Sequence, residues 1–259
     1  MWIYSQYDIL YLSKIFILKK VKFIKKYRNE WKYCCTESDL EMIGSRLAAV
    51  LGKDSHSGLD KKYAVHSLYF DDYKDTCVKE NDAGIAKRLK YRIRYYGSNC
   101  DFMNLECKTK VNGRCYKEIC RISMEEYQKL VDGDIDELLW NTDKPLIQSY
   151  CLKCRMRHFE PKAIIDYERI AFVEEITHVR ITLDKNITVS GKTNHFLDRD
   201  YIPYPIQTKG QHVLEVKFDY ILPGYLKHII TDQHLIQSSY SKYSLGRKKL
   251  QSMGQEIIK

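Results

Sequence analysis

KRLKYRIRYYG, residues 87–97, alternates charge with apolar bulk at nearly every step. In an extended chain Arg88, Lys90, Arg92 and Arg94 share one face, while Leu89, Tyr91, Ile93 and Tyr95 share the other, so the period of two predicts a strand. The alternation recurs in NEWKY (29–33) with Glu30 and Lys32, and in LECKTK (105–110) with Glu106, Lys108 and Lys110. It appears again in VRITLD (179–184) with Arg180, Thr182 and Asp184, and in LEVKF (214–218) with Glu215 and Lys217. An ordinary antiparallel sheet with one solvated face gives the same pattern. Two details point elsewhere. The charged face of 88–94 is entirely basic, where a merely soluble face mixes signs. The acids stand singly, each two residues before a lysine, as Glu30-Lys32, Glu106-Lys108 and Glu215-Lys217. If such strands close into a barrel with these side chains inside, Lys and Arg would bind phosphate oxygens and the carboxylates would hold a hard divalent cation.

Outward from that run, the chain from Tyr27 on reads as short strands with occasional helices, and no Pro/Gly/Ser linker marks a domain boundary. A first helix is expected from a Thr36 or Ser38 cap through Leu40, Ile43, Leu47, Val50 and Leu51 to a stop at Gly52. A second starts at Ser123, with Glu126 three positions on as a capping box. Weaker helical patterns cover 135–140 and 147–156, follow Pro223 and recur near the end of the chain. The expected class is α+β: an antiparallel barrel with accessory helices.

The composition agrees with a folded chain of 259 residues: 44% hydrophobic and 30% charged, with 12 Gly and 5 Pro, it excludes disordered and collagen-like classes. The 43 Lys and Arg against 34 Asp and Glu leave nine net positive charges, which favour a polyanionic partner. Nine cysteines, odd in number and without framework spacing, read as reduced thiols and place the protein in the cytoplasm. Cys151 and Cys154 form a lone CxxC in a helical pattern, and the histidines show no HxxxH spacing, so neither set is assigned to a metal. Asp71 and Asp72 read as turn formers. Residues 1–25 are apolar and aromatic with basic residues downstream; their charges fit neither a secretory signal nor a spanning helix. They read as an extension, either unstructured or lying on a membrane surface as a basic helix, ahead of a domain at 26–259.

These pieces meet a known pattern. YRNEWKY (27–33), HSLYFDD (66–72), KYRIRYYG (90–97), LECKTKVNGRCYKE (105–118), IDYERIAF (165–172), VRITLDKNI (179–187), VLEVKFD (213–219) and SKY (241–243) resemble, in order, the polyphosphate polymerase domain of the vacuolar transporter chaperone (VTC) proteins, within the triphosphate tunnel metalloenzyme superfamily. The resemblance implies a tunnel barrel of about eight strands. It implies catalytic roles for Arg92, Arg94, Arg169 and Arg180, and substrate binding by Lys32, Lys108, Lys117 and Lys242. Glu215 matches the metal-binding glutamate, with Glu30 and Glu106 as helpers, for Mn2+ or Mg2+. Lys110 stands where eukaryotic members carry a histidine, so that position takes no role. With no SPX-like domain before the barrel and no membrane bundle after it, the chain is expected to be a free-standing bacterial-type version.

The activity implied is transfer of the ATP γ-phosphate to a growing polyphosphate chain. Positioning and charge neutralisation suffice for that chemistry, in keeping with the absence of a Ser/His/Asp or Cys/His constellation. Water as acceptor would give a tripolyphosphatase or nucleoside triphosphatase, and a non-catalytic polyphosphate-binding module is the third reading. Nucleic acid is not expected as a partner, because Tyr91 and Tyr95 oppose Arg92 and Arg94 and cannot stack bases while those arginines clamp the backbone.

Overall fold

A computed structural model describes residues 26–51, 62–231 and 235–257; residues 1–25 and Gly52, for which expectations were stated above, lie outside the described residues. The strands are β1 (Asn29–Thr36), β2 (Tyr63–Asp71), β3 (Lys87–Tyr96), β4 (Asn99–Val111), β5 (Arg114–Ile122), β6 (Glu160–Glu174), β7 (Val179–Ser190), β8 (Tyr204–Pro205) and β9 (Gln211–Phe218). Eight of them run in the order β1-β9-β7-β6-β2-β3-β4-β5, with the two-residue β8 paired to β7. Every pairing is antiparallel. The two ends of this path meet: Arg28, just before β1, exchanges backbone hydrogen bonds of 2.8 and 2.9 Å with Cys115 of β5. The path therefore returns on itself as the expected tunnel, but through one bridge rather than a ladder.

The charged faces of the strands turn inward and the apolar faces outward, so the hydrophobic core surrounds the tunnel. Tyr91, Ile93 and Tyr95 of β3 are buried on the outer face, which removes them from the side where Arg92 and Arg94 stand. Helices cover that face: α1 (Glu37–Val50), α2 (Thr76–Asp82), α3 (Met124–Asp132), α4 (Ile135–Asn141), α5 (Pro145–Arg157), α6 (Gly224–Thr231) and α7 (Lys242–Ile257). α5 packs on β4, β5 and α4, α7 on β6, β7 and α2, and α1 on β1, β9 and α6. The core falls into two clusters, a large one outside β2 to β6 and a smaller one where α1 and α6 cover β1, β9 and β7.

Local chemistry sets these elements. Thr36 caps α1 in a box with Asp39, whose amide donates to Thr36 Oγ1 at 3.2 Å while Asp39 Oδ2 accepts from the Thr36 amide at 2.9 Å. Leu40, Ile43 and Leu47 are buried from that helix, each stabilising by about 1.5–3 kcal/mol. Ser123 and Glu126 form the expected box on α3. Between β4 and β5, Asn112 and Gly113 both take positive φ, 46° and 83°, the two-residue turn whose twist matches that of paired strands. In α7, a Cβ on Gly246 would lie 2.7 Å from Ile165 Cδ1, so any larger residue there would have to displace the Ile165 side chain of β6. Cys151 and Cys154 are buried in α5, where burial pushes their thiols up to about 12 and about 11. Among the described residues no helix is long and apolar enough to cross a membrane.

Candidate functional site

The tunnel holds a cavity of about 450 Å³. Among the described residues, fourteen basic side chains line it against two acids, Glu30 and Glu215, together with six tyrosines and three serines. Period-two strands produce this excess directly, since β3 alone contributes Arg88, Lys90, Arg92 and Arg94. All eight residues expected to bind phosphate, Lys32, Arg92, Arg94, Lys108, Lys117, Arg169, Arg180 and Lys242, are on the lining. Lys110 lines it too.

Strand register decides what the carboxylates do. β1 and β9 pair so that Glu30 faces Lys217 and Lys32 faces Glu215, a checkerboard made by two antiparallel ExK segments. The glutamates of the two segments come within hydrogen-bonding reach of each other. Around them, Lys108 Nζ lies 2.7 Å from Glu30 Oε2 and Lys217 Nζ 2.8 Å from Glu215 Oε1, with Lys32 3.7 Å from Glu30. Burial raises both carboxyls, yet the lysines outweigh it: Lys108 and Lys32 hold Glu30 below its ordinary value, and Lys217 and Lys32 hold Glu215 well below.

Glu106 is placed elsewhere. It faces Arg92 across the β3–β4 ladder and accepts from Arg92 Nε at 2.8 Å and Lys117 Nζ at 3.1 Å, so it sits behind these cations instead of joining Glu30 and Glu215. Burial opposes its charge, but Arg92, Arg94 and Lys117 keep it well below the usual carboxylate range. Asp184 of β7, which the sequence placed on the charged face without a role, does the same on the far side. It accepts from Arg169 Nε at 2.6 Å and Lys242 Nζ at 2.6 Å, and these cations overcome burial to bring it down to about 2. Lys242, the first residue of α7, thereby reaches the tunnel as the SKY match required. Arg94 is held by neutral oxygens, Ser67 Oγ and Tyr167 Oη, each at 2.9 Å.

Several lining groups carried no assignment in the sequence. Lys217 belonged to a quoted ExK segment. Tyr69 of β2 accepts from Arg92 Nη1 at 2.8 Å; burial raises its phenol, but Arg92 and Arg94 bring it down to about 8. Lys90 is lowered to about 8 by burial, as is Lys117 in spite of Glu106. Asp71 and Asp72 act as the turn formers expected: Asp71 Oδ1 accepts from the amides of Asp72 and Cys77, and Asp72 Oδ1 from those of Lys74 and Thr76.

Glu30 and Glu215 together offer hard oxygen donors suited to Mg2+ or Mn2+, which favour one or two carboxylates completed by phosphate oxygens and water. No group of three His, Cys, Asp or Glu that would hold a metal alone occurs among the described residues. Cys115, whose thiol lies 3.5 Å from Glu30 Oε2, is kept protonated by burial despite Lys108 and so does not make this a soft site.

Solved structures of similar shape include the PH1819 protein of Pyrococcus horikoshii OT3, 12% identical, covering 86% of this chain and 99% of its own at a TM-score of 0.46. A putative adenylate cyclase of Bacillus halodurans is 13% identical, covering 80% and 88% at 0.44. The Mimivirus capping enzyme triphosphatase is 11% identical, covering 88% and 96% at 0.39. No functionally curated protein matches the sequence. Residues 27–251 match the VTC domain, a stretch that takes in all nine strands and every tunnel residue named above. The chain belongs to the VTC domain family.

Proposed function

We propose that the protein is a metal-dependent polyphosphate polymerase that moves the γ-phosphate of ATP onto the end of a polyphosphate chain within the tunnel. The observation that carries this reading is the state of the carboxylates. Glu30, Glu106, Asp184 and Glu215 are all held below their ordinary pKa values by neighbouring cations, so none is a base matched to neutral pH. A terminal phosphate needs no such base, because its second ionisation, near pH 6, is complete at neutrality.

Arg92, Arg94, Arg169 and Arg180 orient the triphosphate and the acceptor so that a terminal acceptor oxygen lies in line with the γ-phosphorus. As the new P–O bond forms, the bond from the γ-phosphorus to the bridging oxygen breaks and ADP leaves. Lys32, Lys108, Lys117 and Lys242 neutralise the flanking phosphates, and fixed cations of this kind need no rearrangement as charge shifts. Glu106 and Asp184 hold Arg92, Arg169 and Lys242 in place. Mn2+ or Mg2+ held by Glu215 and Glu30 supplies further neutralisation at the transferring group. Incubation with ATP and Mn2+ followed by phosphate-chain electrophoresis is the test: a ladder of lengthening chains is expected, and free phosphate without chains would replace transfer by hydrolysis.

Hydrolysis is the second reading, and Tyr69 favours it. Its phenol lies in the cavity beside Arg92 and is brought down to about 8, so the fraction ionised as pH rises past neutrality can take a proton from water.

A further inference from the structure

The cations of the tunnel differ in what already neutralises them. Arg92, Lys117, Lys32, Lys108, Lys217, Arg169 and Lys242 each have a carboxylate within 4.0 Å. Lys90 has none among the described residues. Its ammonium is instead seated by neutral oxygens: Asn81 Oδ1 of α2 at 3.2 Å and Ser241 Oγ, just before α7, at 2.8 Å, both on the lining, with the buried Ser244 Oγ of α7 behind them at 3.4 Å. Ser241 also accepts from the Ser244 amide at 3.3 Å, which fixes the hydroxyl pair beside the ammonium. A lysine secured this way keeps its positive charge available to an arriving anion, and the Ser241 hydroxyl on the lining still has its proton to donate to a phosphate oxygen.

Position adds a second constraint. Lys90 follows Arg94 and Arg92 at two-residue steps along the tunnel face of β3, so a ligand touching Arg94 and Lys90 spans about 13 Å of strand. A triphosphate seated at Arg92 and Arg94 does not cover that distance; a longer chain does.

Resting on the polyphosphate reading above, we propose that Lys90 and Ser241, braced from behind by Ser244, form an additional phosphate subsite that engages chains longer than a triphosphate and so sets a preference for chain length. The remaining groups facing Lys90 are Tyr69 of β2, Lys32 of β1, Lys108 of β4, Cys77 of α2 and the ring of Tyr243, none of which brings a carboxylate to it.

Calorimetry with tripolyphosphate and with long-chain polyphosphate at fixed ionic strength tests this. Lys90→Gln is expected to weaken long-chain binding about ten-fold, the size of one lost charge-assisted contact, and to change tripolyphosphate binding less than about two-fold. Lys90→Arg, which retains the charge, should stay within about three-fold of the parent for both ligands. Ser241→Ala leaves the ammonium in place and should lower long-chain affinity alone by about three-fold, so it carries the test if Lys90→Gln does not fold. Equal weakening of both ligands, or of neither, in Lys90→Gln and Ser241→Ala would overturn the subsite. A parent protein that binds neither ligand would overturn the polyphosphate reading itself.

Discussion

Two walls of the tunnel carry the same ExK segment and use it in opposite ways. On the β1–β9 wall the partner strand is another ExK, so each glutamate faces a lysine and both carboxylates stand on the lining. On the β3–β4 wall the partner is the all-basic Arg88 to Arg94 face, so Glu106 is taken up by Arg92 and Lys117 and lies 2% exposed beneath them. An identical motif therefore becomes a pair of carboxylates facing the cavity in one place and a fixed counter-charge in the other. The neighbouring strand decides which.

The largest effect expected from this contrast is on turnover. Glu215→Gln removes one of the paired donors, so metal-dependent phosphoryl transfer should fall at least about a hundred-fold while tripolyphosphate affinity holds or rises. Parallel kinetics and calorimetry check it; parent-like turnover with the same metal requirement would remove Glu215 from the metal site.

The next expectation concerns stability. Arg92→Ala leaves Glu106 buried with only Lys117 and should cost about 3 kcal/mol in urea unfolding. Arg94→Ala, whose partners are the hydroxyls of Ser67 and Tyr167, should cost about 1 kcal/mol. Both should weaken triphosphate binding. Equal losses of stability would show that Glu106 is not the counter-charge that separates the two walls.

A smaller effect follows from pH. Lys90 and Lys117, lowered to about 8, lose their positive charge as pH rises through that value, and Tyr69, also near 8, gains a negative one. All three changes oppose anion binding, so tripolyphosphate affinity, corrected for the proton uptake of the free ligand, is expected to drop between pH 7 and 9. Titrations at constant ionic strength measure the slope, and a flat profile would contradict the placement of these groups beside the ligand. Smallest is a helix cap remote from both walls: Ser123→Ala should lower stability by about 1 kcal/mol with no change in binding or turnover.

The barrel strands were legible in the sequence because a charged tunnel forces alternation, with Arg88 to Arg94 inward and Tyr91 to Tyr95 buried outside. The α1 and α3 starts were legible because their caps are local. α2 was not, since it is seven residues long, buries only Cys77 and Val78, and begins after Asp75 in a left-handed conformation without a side-chain cap. The same limit applied in the site. Lys32, Arg92, Arg94, Lys108, Arg180 and the glutamates stood on alternating faces, whereas Lys117, Arg169 and Lys242 were named only through the family resemblance, and the separation of Glu106 from Glu30 and Glu215 depends on register across β3 and β4. Asp184 gains its role from Arg169 and Lys242, fifteen and fifty-eight residues away in sequence, and no spacing announces such a meeting.

The single bridge between Arg28 and Cys115 makes the barrel a hoop with one clasp. Elsewhere around the circumference each strand is held by a run of hydrogen bonds, so prising two neighbours apart means breaking many at once; here two are enough. The ion pair from Lys108 of β4 to Glu30 of β1 is the strap across that join, and both its members face the cavity. Local breathing should start at this seam, and hydrogen exchange should register it as earlier loss of the Arg28 and Cys115 amide protons than of those in β6 and β7.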